Sequence, residues 1–295
     1  MPNYGSLCAV VAAIKLGHLQ QENISIELKQ YGNGNQIVDG LKNGEIDVGY
    51  IGDGAHRRCV EGDAVVFLLS HISNAEAVIG KRTSGIRSLK ALAGKRIGTV
   101  AGSTSDTILN FALDSVELCR EDCEIVDQRA EEIVKGMLNG TLDACALWSP
   151  YTLEVQKKLG GDAVVLANNM NFSNRMASLS SWVTGKTFAS QKRDVLVRFT
   201  RALYRSMNYR AIEENMQRVA SWVAQVIGAD EKTVRGQQWD AEWSTAGFVA
   251  IGAENGTVKQ LYETQQKQFL KAGVVASAVP VENYVLLDVM TEAAE

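Results

Sequence analysis

Two short turns combine glycine with hydroxyl side chains at points where a helix is predicted to begin. One is the stretch Gly-Ser-Thr-Ser at 102–105, and the other is Gly-Ser at 5–6. The first turn of a helix carries N–H groups without intrahelical partners and a partial positive charge, so it can bind an anion. Hydroxyl groups beside these N–H groups add donors for a polar head group. The alternative is that a serine or threonine only caps its helix.

Amide and aromatic side chains occupy further predicted turns. Asn33 and Asn35 lie in a glycine-rich turn, where they could donate to a ligand or simply stabilise the turn. Trp148 and Tyr151 follow a predicted strand, where an aromatic ring could cover a ligand or pack in the core. Asp53 could accept from a ligand amine or cap a helix. These residues predict a binding site for a small polar molecule.

The reactive side chains form no recognisable catalytic or metal-binding arrangement. The three histidines, His18, His56 and His71, are scattered, so no nucleophile–base pair can be assembled around them. The five cysteines are odd in number, which excludes complete disulfide pairing. Cys119 and Cys123 are four positions apart, but a single pair is a weak zinc signal. We therefore expect neither metal nor cofactor, and no enzymatic activity.

An internal repeat positions these candidates. Residues 37–47 and 133–143 share Ile, Val, Gly, Asn, Gly and Asp at equivalent positions. In each copy a helical pattern ends at Asn-Gly, which is typical of a helix C-terminus, and a short apolar run follows, which predicts a buried strand. Ligands of open α/β sheets bind at the carboxyl ends of strands. The two copies predict two α/β lobes that each offer a strand end to a shared crevice.

The two halves of the repeat are unequal at their beginnings. A strand at 96–100 precedes the hydroxyl-rich turn at 102–105, but the turn at 5–6 has no room for an equivalent strand. We expect that the first strand is missing, or present only as a stub at 1–4. From Gln191 onward the pattern predicts helices and no strand, so the C-terminal tail should pack on an existing sheet.

Composition limits the functional class. The chain has 295 residues, 46% of them hydrophobic, and a formal net charge of −4. The length predicts two domains, and the slightly negative charge gives no electrostatic basis for binding nucleic acid or a membrane surface. No apolar run reaches the ~20 residues of a membrane span.

The chain resembles the periplasmic substrate-binding proteins of ABC importers, in the branch for sulfonates, taurine and nitrate with thiamine-precursor-binding relatives. Each matching stretch is weak alone, but their order and spacing cover nearly the whole chain. The stretches are 13–19, the first repeat through Asp53, 86–98, 102–105, 140–151 and 269–273.

The resemblance implies a type II periplasmic-binding-protein clamshell. Each lobe would be a mostly parallel sheet flanked by helices, with lobe one at 1–75 plus 185–295 and lobe two at 76–184. The implied function is capture of a small anionic or polar solute and its delivery to a membrane permease. The protein would then be a monomer, located in the periplasm or at the cell surface. The residues expected to contact ligand are Asn3, Tyr4, Gly5, Ser6, Asn33, Asn35, Gly52, Asp53, Asn74, Ser103, Thr104, Ser105, Trp148, Tyr151 and Asn169.

Two alternatives stay open on the same fold. One is an enzyme similar to the thiamine-precursor synthases, although the histidine and cysteine-rich motif of those enzymes is absent here. The other is a ligand-sensing domain. Candidate cationic partners for an anion are Lys81, Arg82 and Arg175, although solvated surface charge is the simpler interpretation of each.

Overall fold

Strands and helices alternate in the first part of the chain, and helices dominate the rest. The computed structural model describes residues 3–172 and 177–295. Within these residues the strands are β1 (Val48–Ile51), β2 (Val65–Ser73), β3 (Glu76–Lys81), β4 (Arg96–Thr99), β5 (Glu124–Asp127), β6 (Ala144–Trp148), β7 (Ala163–Asn168), β8 (Leu179–Thr184) and β9 (Ala241–Trp243). The helices are α1 (Tyr4–Lys15), α2 (His18–Gln21), α3 (Gly34–Lys42), α4 (Arg57–Val60), α5 (Thr104–Asp114), α6 (Ala130–Asn139), α7 (Tyr151–Leu159), α8 (Lys186–Gln191), α9 (Arg193–Arg210), α10 (Glu213–Ile227), α11 (Glu231–Gly236), α12 (Ala246–Glu254), α13 (Thr257–Lys271) and α14 (Leu287–Glu292).

Both copies of the repeat form a helix followed by a strand, as predicted. The first copy is α3 and β1, and the second is α6 and β6. The turn glycines adopt left-handed backbone conformations, with φ of 71° at Gly44 and 85° at Gly140. A residue with a Cβ would be strained there, which explains why both copies use glycine at this point.

The chain divides into two units, whose boundaries lie three residues and eight residues before those of the predicted lobes. Unit 1 comprises Met1–Ile72 and Ala177–Glu295, and unit 2 comprises Ser73–Met176. The sheet of unit 1 has the order β1-β8-β2-β9, with β8 antiparallel to both β1 and β2. Residues 177–184, which the sequence placed in lobe two, therefore belong to unit 1, because β8 completes its sheet.

Unit 2 contains a sheet with the order β5-β4-β6-β3-β7. Strands β5, β4 and β6 are parallel, whereas β3 is antiparallel to both β6 and β7. Both sheets are thus mixed: β3 runs against the other four strands of the unit 2 sheet, and β8 runs against β1 and β2 in unit 1. The predicted α/β fold is confirmed. The antiparallel members, β3 and β8, are the first strands after the chain passes from one unit to the other.

Other elements depart from the sequence prediction in unit 1. Residues 24–31 alternate apolar and polar side chains, a pattern that predicts a strand, but they run without strand pairing, although Ile24 and Ile26 pack against the core. The C-terminal part contains the short strand β9, where the pattern predicted helices only. Helix α1 is buried over most of its length and packs on α9 and α10. None of the helices in the described residues is long and apolar enough to cross a membrane.

Candidate functional site

Four chain segments meet at one edge of the unit 2 sheet. The parallel strands β4 and β6 end there, at Thr99 and Trp148. Because β3 is antiparallel to β6, its first residue, Glu76, pairs with Trp148. Strand β7 is antiparallel to β3, so Asn168 at its end pairs with Ala77. This edge is where ligands bind in open α/β sheets. We call Glu76, Thr104, Trp148 and Asn169 the strand-end cluster.

Helix α5 begins at this edge, directly after β4. Ser103 occupies the N-cap position, but its side chain accepts no hydrogen bond from the helix. Instead its hydroxyl donates to the carbonyl oxygen of Val100 at 2.6 Å and lies 2.8 Å from the hydroxyl of Ser105. The alternative that Ser103 caps the helix with its side chain was therefore wrong. The first-turn N–H groups of α5 stay available for an acceptor.

Glu76 is a buried carboxylate within the cluster, and sequence analysis did not identify it as a site residue. Glu76 is only 4% exposed, and its Oε2 accepts a hydrogen bond from the hydroxyl of Ser73 at 2.9 Å. Burial raises the pKa of Glu76, while the donor groups of Ser73, Asn169 and Thr104 beside the carboxylate oppose that rise. Among the described residues no lysine, arginine or histidine forms an ion pair with Glu76. The sequence does not reveal that Glu76 is buried, because β3 is buried at every position and has no alternation between buried and exposed residues.

Asn169 supports the cluster from the end of β7. Its Oδ1 accepts from the backbone N–H of Glu76 at 2.9 Å. Its Nδ2 is buried beside the Glu76 carboxylate but makes no hydrogen bond of good geometry within the described residues, and Oδ1 of Asn168 is likewise buried without a partner there. Buried polar groups are nearly always paired, so two incompletely bonded amide groups at one sheet edge indicate a place for a polar partner.

The structure places Trp148 and Tyr151 in different environments. Trp148 is half-buried at the end of β6, with its ring centroid 5.8 Å from that of Tyr151 in an edge-on arrangement. Tyr151 is buried in the core of unit 2, and its hydroxyl donates to the carboxylate of Glu131. We therefore retain Trp148 as a candidate ligand contact and interpret Tyr151 as a packing residue that supports it.

The remaining unit 2 candidates lie at different distances from the cluster. Asn74 is half-buried in the connection between β2 and β3, two residues before Glu76. Lys81 lies at the opposite end of β3 from Glu76, roughly 17 Å away for a strand rising about 3.3 Å per residue. Arg82 is exposed and donates to the carbonyl oxygen of Gly161. Arg175 lies outside the described residues. Lys81 and Arg82 are thus not partners for an anion at the strand-end cluster.

In unit 1 the predicted residues at the start of α1 stabilise the helix itself. Asn3 and Ser6 form a capping box, in which Oδ1 of Asn3 accepts from the N–H of Ser6 at 2.8 Å. Tyr4 is buried, and its ring packs edge-on against Trp243 at 5.1 Å. Gly5 approaches His71 closely, because a Cβ there would lie 3.3 Å from Cε1 of the imidazole. Tyr4 is therefore part of the core of unit 1, and its contact with a ligand stays a prediction.

The other unit 1 candidates also have structural partners. Asn33 caps α3 by accepting from the N–H of Gln36 at 3.1 Å, and Asn35 is half-buried in the first turn of that helix. Asp53 is fully buried, and its Oδ1 accepts from Nε2 of Gln265 at 2.6 Å. Gly52 accepts from Nδ1 of His56 through its carbonyl oxygen at 3.0 Å. We therefore keep Asp53 out of the proposed ligand contacts.

A buried polar group centred on Arg210 is the largest feature of unit 1 that sequence analysis missed. The guanidinium donates to the carbonyl oxygen of Ser70 at 2.9 Å and lies 2.6 Å from Sγ of Cys8. It also lies 4.8 Å from the ring centroid of Trp243. Burial and the charge of Arg210 together hold the pKa of His71 well below its usual value. A lone arginine in a helical pattern carries no signal of such burial.

Comparison with known proteins identifies the family. The sequence profile of the family described as NMT1/THI5 like matches residues 6–214, which is more than half of the chain. The chain belongs to the NMT1/THI5-like family. The resemblance stated from the sequence is thereby confirmed at the level of the family.

Two sequences similar to this chain are named as binding proteins. A provisionally named binding protein of Brucella abortus (strain 2308) is 21% identical over 98% of this chain and 88% of its own length. A protein of Bacillus subtilis (strain 168), provisionally named as aliphatic sulfonates-binding, is 25% identical over 73% of this chain and 64% of its own length.

Solved structures show that this member of the family has the periplasmic binding protein fold. The alkanesulfonate-binding protein SsuA from Xanthomonas axonopodis pv. citri, bound to MOPS, aligns with a TM-score of 0.71 at 19% identity, over 95% of each chain. A Candida albicans protein described as exhibiting the generic periplasmic binding protein fold aligns with a TM-score of 0.74 at 14% identity, over 96% of this chain and 93% of that one. The desulfurization enzyme DSZB aligns with a TM-score of 0.68 at 15% identity, over 98% of this chain and 96% of that one. The fold therefore occurs in enzymes as well as in binding proteins.

Proposed function

We propose that this protein is the solute-binding component of an ABC-type importer and captures a small molecule of the sulfonate, taurine or nitrate type. The observation that carries the proposal is the strand-end cluster, which brings an uncapped helix start, the incompletely bonded amide of Asn169 and a half-buried tryptophan to one sheet edge. Membership of the NMT1/THI5-like family and the sulfonate-binding relatives support the same class of ligand. The protein with its bound solute would be located in the periplasm or at the cell surface and would deliver the solute to a membrane permease.

We further propose that the protein is a monomer without catalytic activity or a nucleic-acid partner. The similar enzyme DSZB was also solved with biphenyl-2-sulfinic acid as a mutant in which serine replaces a cysteine, and this draws attention to the thiols here. Burial raises the pKa of Cys59 and Cys145 to about 12, and it also raises the pKa of Cys8. Thiols with these values are protonated at neutral pH, so they are poor nucleophiles. The net charge of −4 is unfavourable for nucleic-acid binding.

Thermal unfolding in the presence of candidate ligands tests the proposed ligand class. The panel contains alkanesulfonates, taurine, nitrate, a thiamine-precursor pyrimidine and a flavin. A sulfonate at a hundred times its dissociation constant should stabilise the folded protein by about 2.7 kcal/mol and raise the unfolding midpoint. We expect Trp148→Ala to weaken binding on the order of tenfold or more, because it removes the aromatic surface beside the helix start.

The matched control is Trp239→Ala, since Trp239 is 73% exposed and lies in unit 1. This variant should keep the full ligand-induced shift. A shift with the pyrimidine or flavin alone would contradict the proposed ligand class, and an equal loss of the shift in both variants would contradict the role of Trp148.

A further inference from the structure

The buried carboxylate of Glu76 is costly unless a ligand uses it. The carboxylate accepts a neutral hydrogen bond from the hydroxyl of Ser73, but within the described part of the chain it has no cationic partner. Taking a carboxylate out of water without a counter-charge carries a large desolvation cost. A packing role would be served equally well by an apolar or amide side chain. Because Glu76 lies at the sheet edge where ligands bind, this desolvation cost indicates that its carboxylate has a function in binding.

Its neighbours make this carboxylate part of a built site. Thr104, in the first turn of α5, lies near enough to Glu76 for its hydroxyl to oppose the rise in the pKa of the carboxylate. Asn169, only 4% exposed, holds the backbone of Glu76 with its Oδ1, while its Nδ2 makes no hydrogen bond of good geometry among the described residues. The helix start thus favours an anionic group and the carboxylate beside it favours a cationic one. A simple anion would be attracted by the helix start but repelled by the carboxylate of Glu76.

We propose that Glu76 selects a ligand that carries a cationic amino group next to its anionic group. This inference rests on the proposed function and narrows its ligand class. The sulfonate of such a zwitterion would accept from the first-turn N–H groups of α5 and from Thr104. The ammonium group would donate to the carboxylate of Glu76, and charge-assisted hydrogen bonds of this kind are stronger than neutral ones. Ligands without the amino group leave the buried carboxylate uncompensated, which lowers their affinity.

Calorimetric titration at pH 7.5 with three two-carbon sulfonates tests this selection. The probes are 2-aminoethanesulfonate, 2-hydroxyethanesulfonate and ethanesulfonate, which differ only at the terminal group. We expect the wild-type protein to bind the amino compound at least tenfold more tightly than either of the others. In Glu76→Gln, which keeps the shape but not the charge, this preference should disappear. The control Glu154→Gln alters an exposed pair with Lys158 on α7 and should keep the preference.

The unfolding midpoint of the ligand-free protein at pH 8 provides a second readout. A raised folded-state pKa means that ionisation of Glu76 reduces stability as the pH rises above the ordinary value of a glutamate. Glu76→Gln should therefore have an unfolding midpoint equal to or higher than that of the wild type. A merely structural Glu76 would give a lower midpoint in the variant and an unchanged ligand preference.

The outcomes separate this inference from the proposed function. If sulfonates bind but the amino compound has no advantage, or if the advantage persists in Glu76→Gln, the role of Glu76 is wrong and the ligand class stands. If none of the three sulfonates binds to folded protein at millimolar concentration, the sulfonate and taurine part of the proposed ligand class is wrong, and the selection inferred from it falls with it.

Discussion

Replacement of Arg210 with alanine is expected to lower the free energy of unfolding of unit 1 by about 3–5 kcal/mol. Arg210 is 0% exposed, so the change leaves a cavity at the end of α9. It also removes donors to the carbonyl oxygen of Ser70 and the contact with the ring of Trp243. The guanidinium therefore connects α9 to β2 and to the segment around β9. Urea unfolding at pH 7, followed by circular dichroism, measures the effect.

A control on the same helix distinguishes burial from charge. Arg205 is partly exposed and forms an ion pair with Glu22 at 2.9 Å. Because partly exposed ion pairs contribute little, Arg205→Ala should cost less than about 1 kcal/mol. Arg210→Met fills most of the volume without the charge, and we expect it to recover part of the loss. If Arg210→Ala were as stable as Arg205→Ala, the description of Arg210 as a buried connector would be wrong.

Acidification is the second large expected effect, and it acts through His56. This histidine is buried, and burial lowers its pKa to about 4 from an ordinary value of 6.5. Its Nδ1 donates to the carbonyl oxygen of Gly52 at 3.0 Å, and its Nε2 lies 2.8 Å from the hydroxyl of Ser181. The neutral imidazole therefore has a partner on each side.

The sign of the effect follows from the lower pKa in the folded state. Above pH 6.5 the residue is neutral in both states, and its full contribution to stability is present. As the pH falls from 6.5 to about 4, the unfolded chain binds a proton that the folded chain resists, so stability falls by roughly 3 kcal/mol. His71 acts in the same direction. Urea unfolding at pH 7 and pH 4 should show a smaller acid loss in His56→Gln than in the wild type.

His18→Gln is the matched control for this measurement. His18 is partly exposed and lies 2.9 Å from the hydroxyl of Ser206, so its protonation is less strongly opposed. This variant should retain most of the acid loss. An acid loss in His56→Gln as large as that of the wild type would show that other groups cause it.

The repeat made the α/β elements predictable from sequence because its signals are local. The Asn-Gly ends of α3 and α6 require a left-handed glycine, and each apolar run that follows is long enough only for a strand. The pairing direction of β3 and β8 was not predictable, because it depends on where the chain changes units. Residues 24–31 alternate like a strand, yet the pattern records only that one side of an extended segment faces the core.

The parts of the candidate site that are formed by a helix start and a strand end could be predicted from the sequence. The turn before α5 and the end of β6 are visible in the sequence as a hydroxyl-rich helix start and a strand followed by Trp148. Glu76 was missed because a glutamate at the start of an apolar strand looks like a solvated end. The burial of Tyr4 and Asp53 could not be predicted, because the sequence does not distinguish a polar group at an exposed turn from one that packs and forms hydrogen bonds in the core.

The central claim, that the strand-end cluster of unit 2 holds the ligand, is tested most directly by a crystal structure with the tightest-binding sulfonate of the panel. We expect the sulfonate oxygens within hydrogen-bond distance of the first-turn N–H groups of α5 and the hydroxyl of Thr104, and the carbon chain against the ring of Trp148. An amino group, where present, should lie beside Glu76. A sulfonate bound elsewhere, with no contact to Thr104, Trp148 or Glu76, would contradict the account.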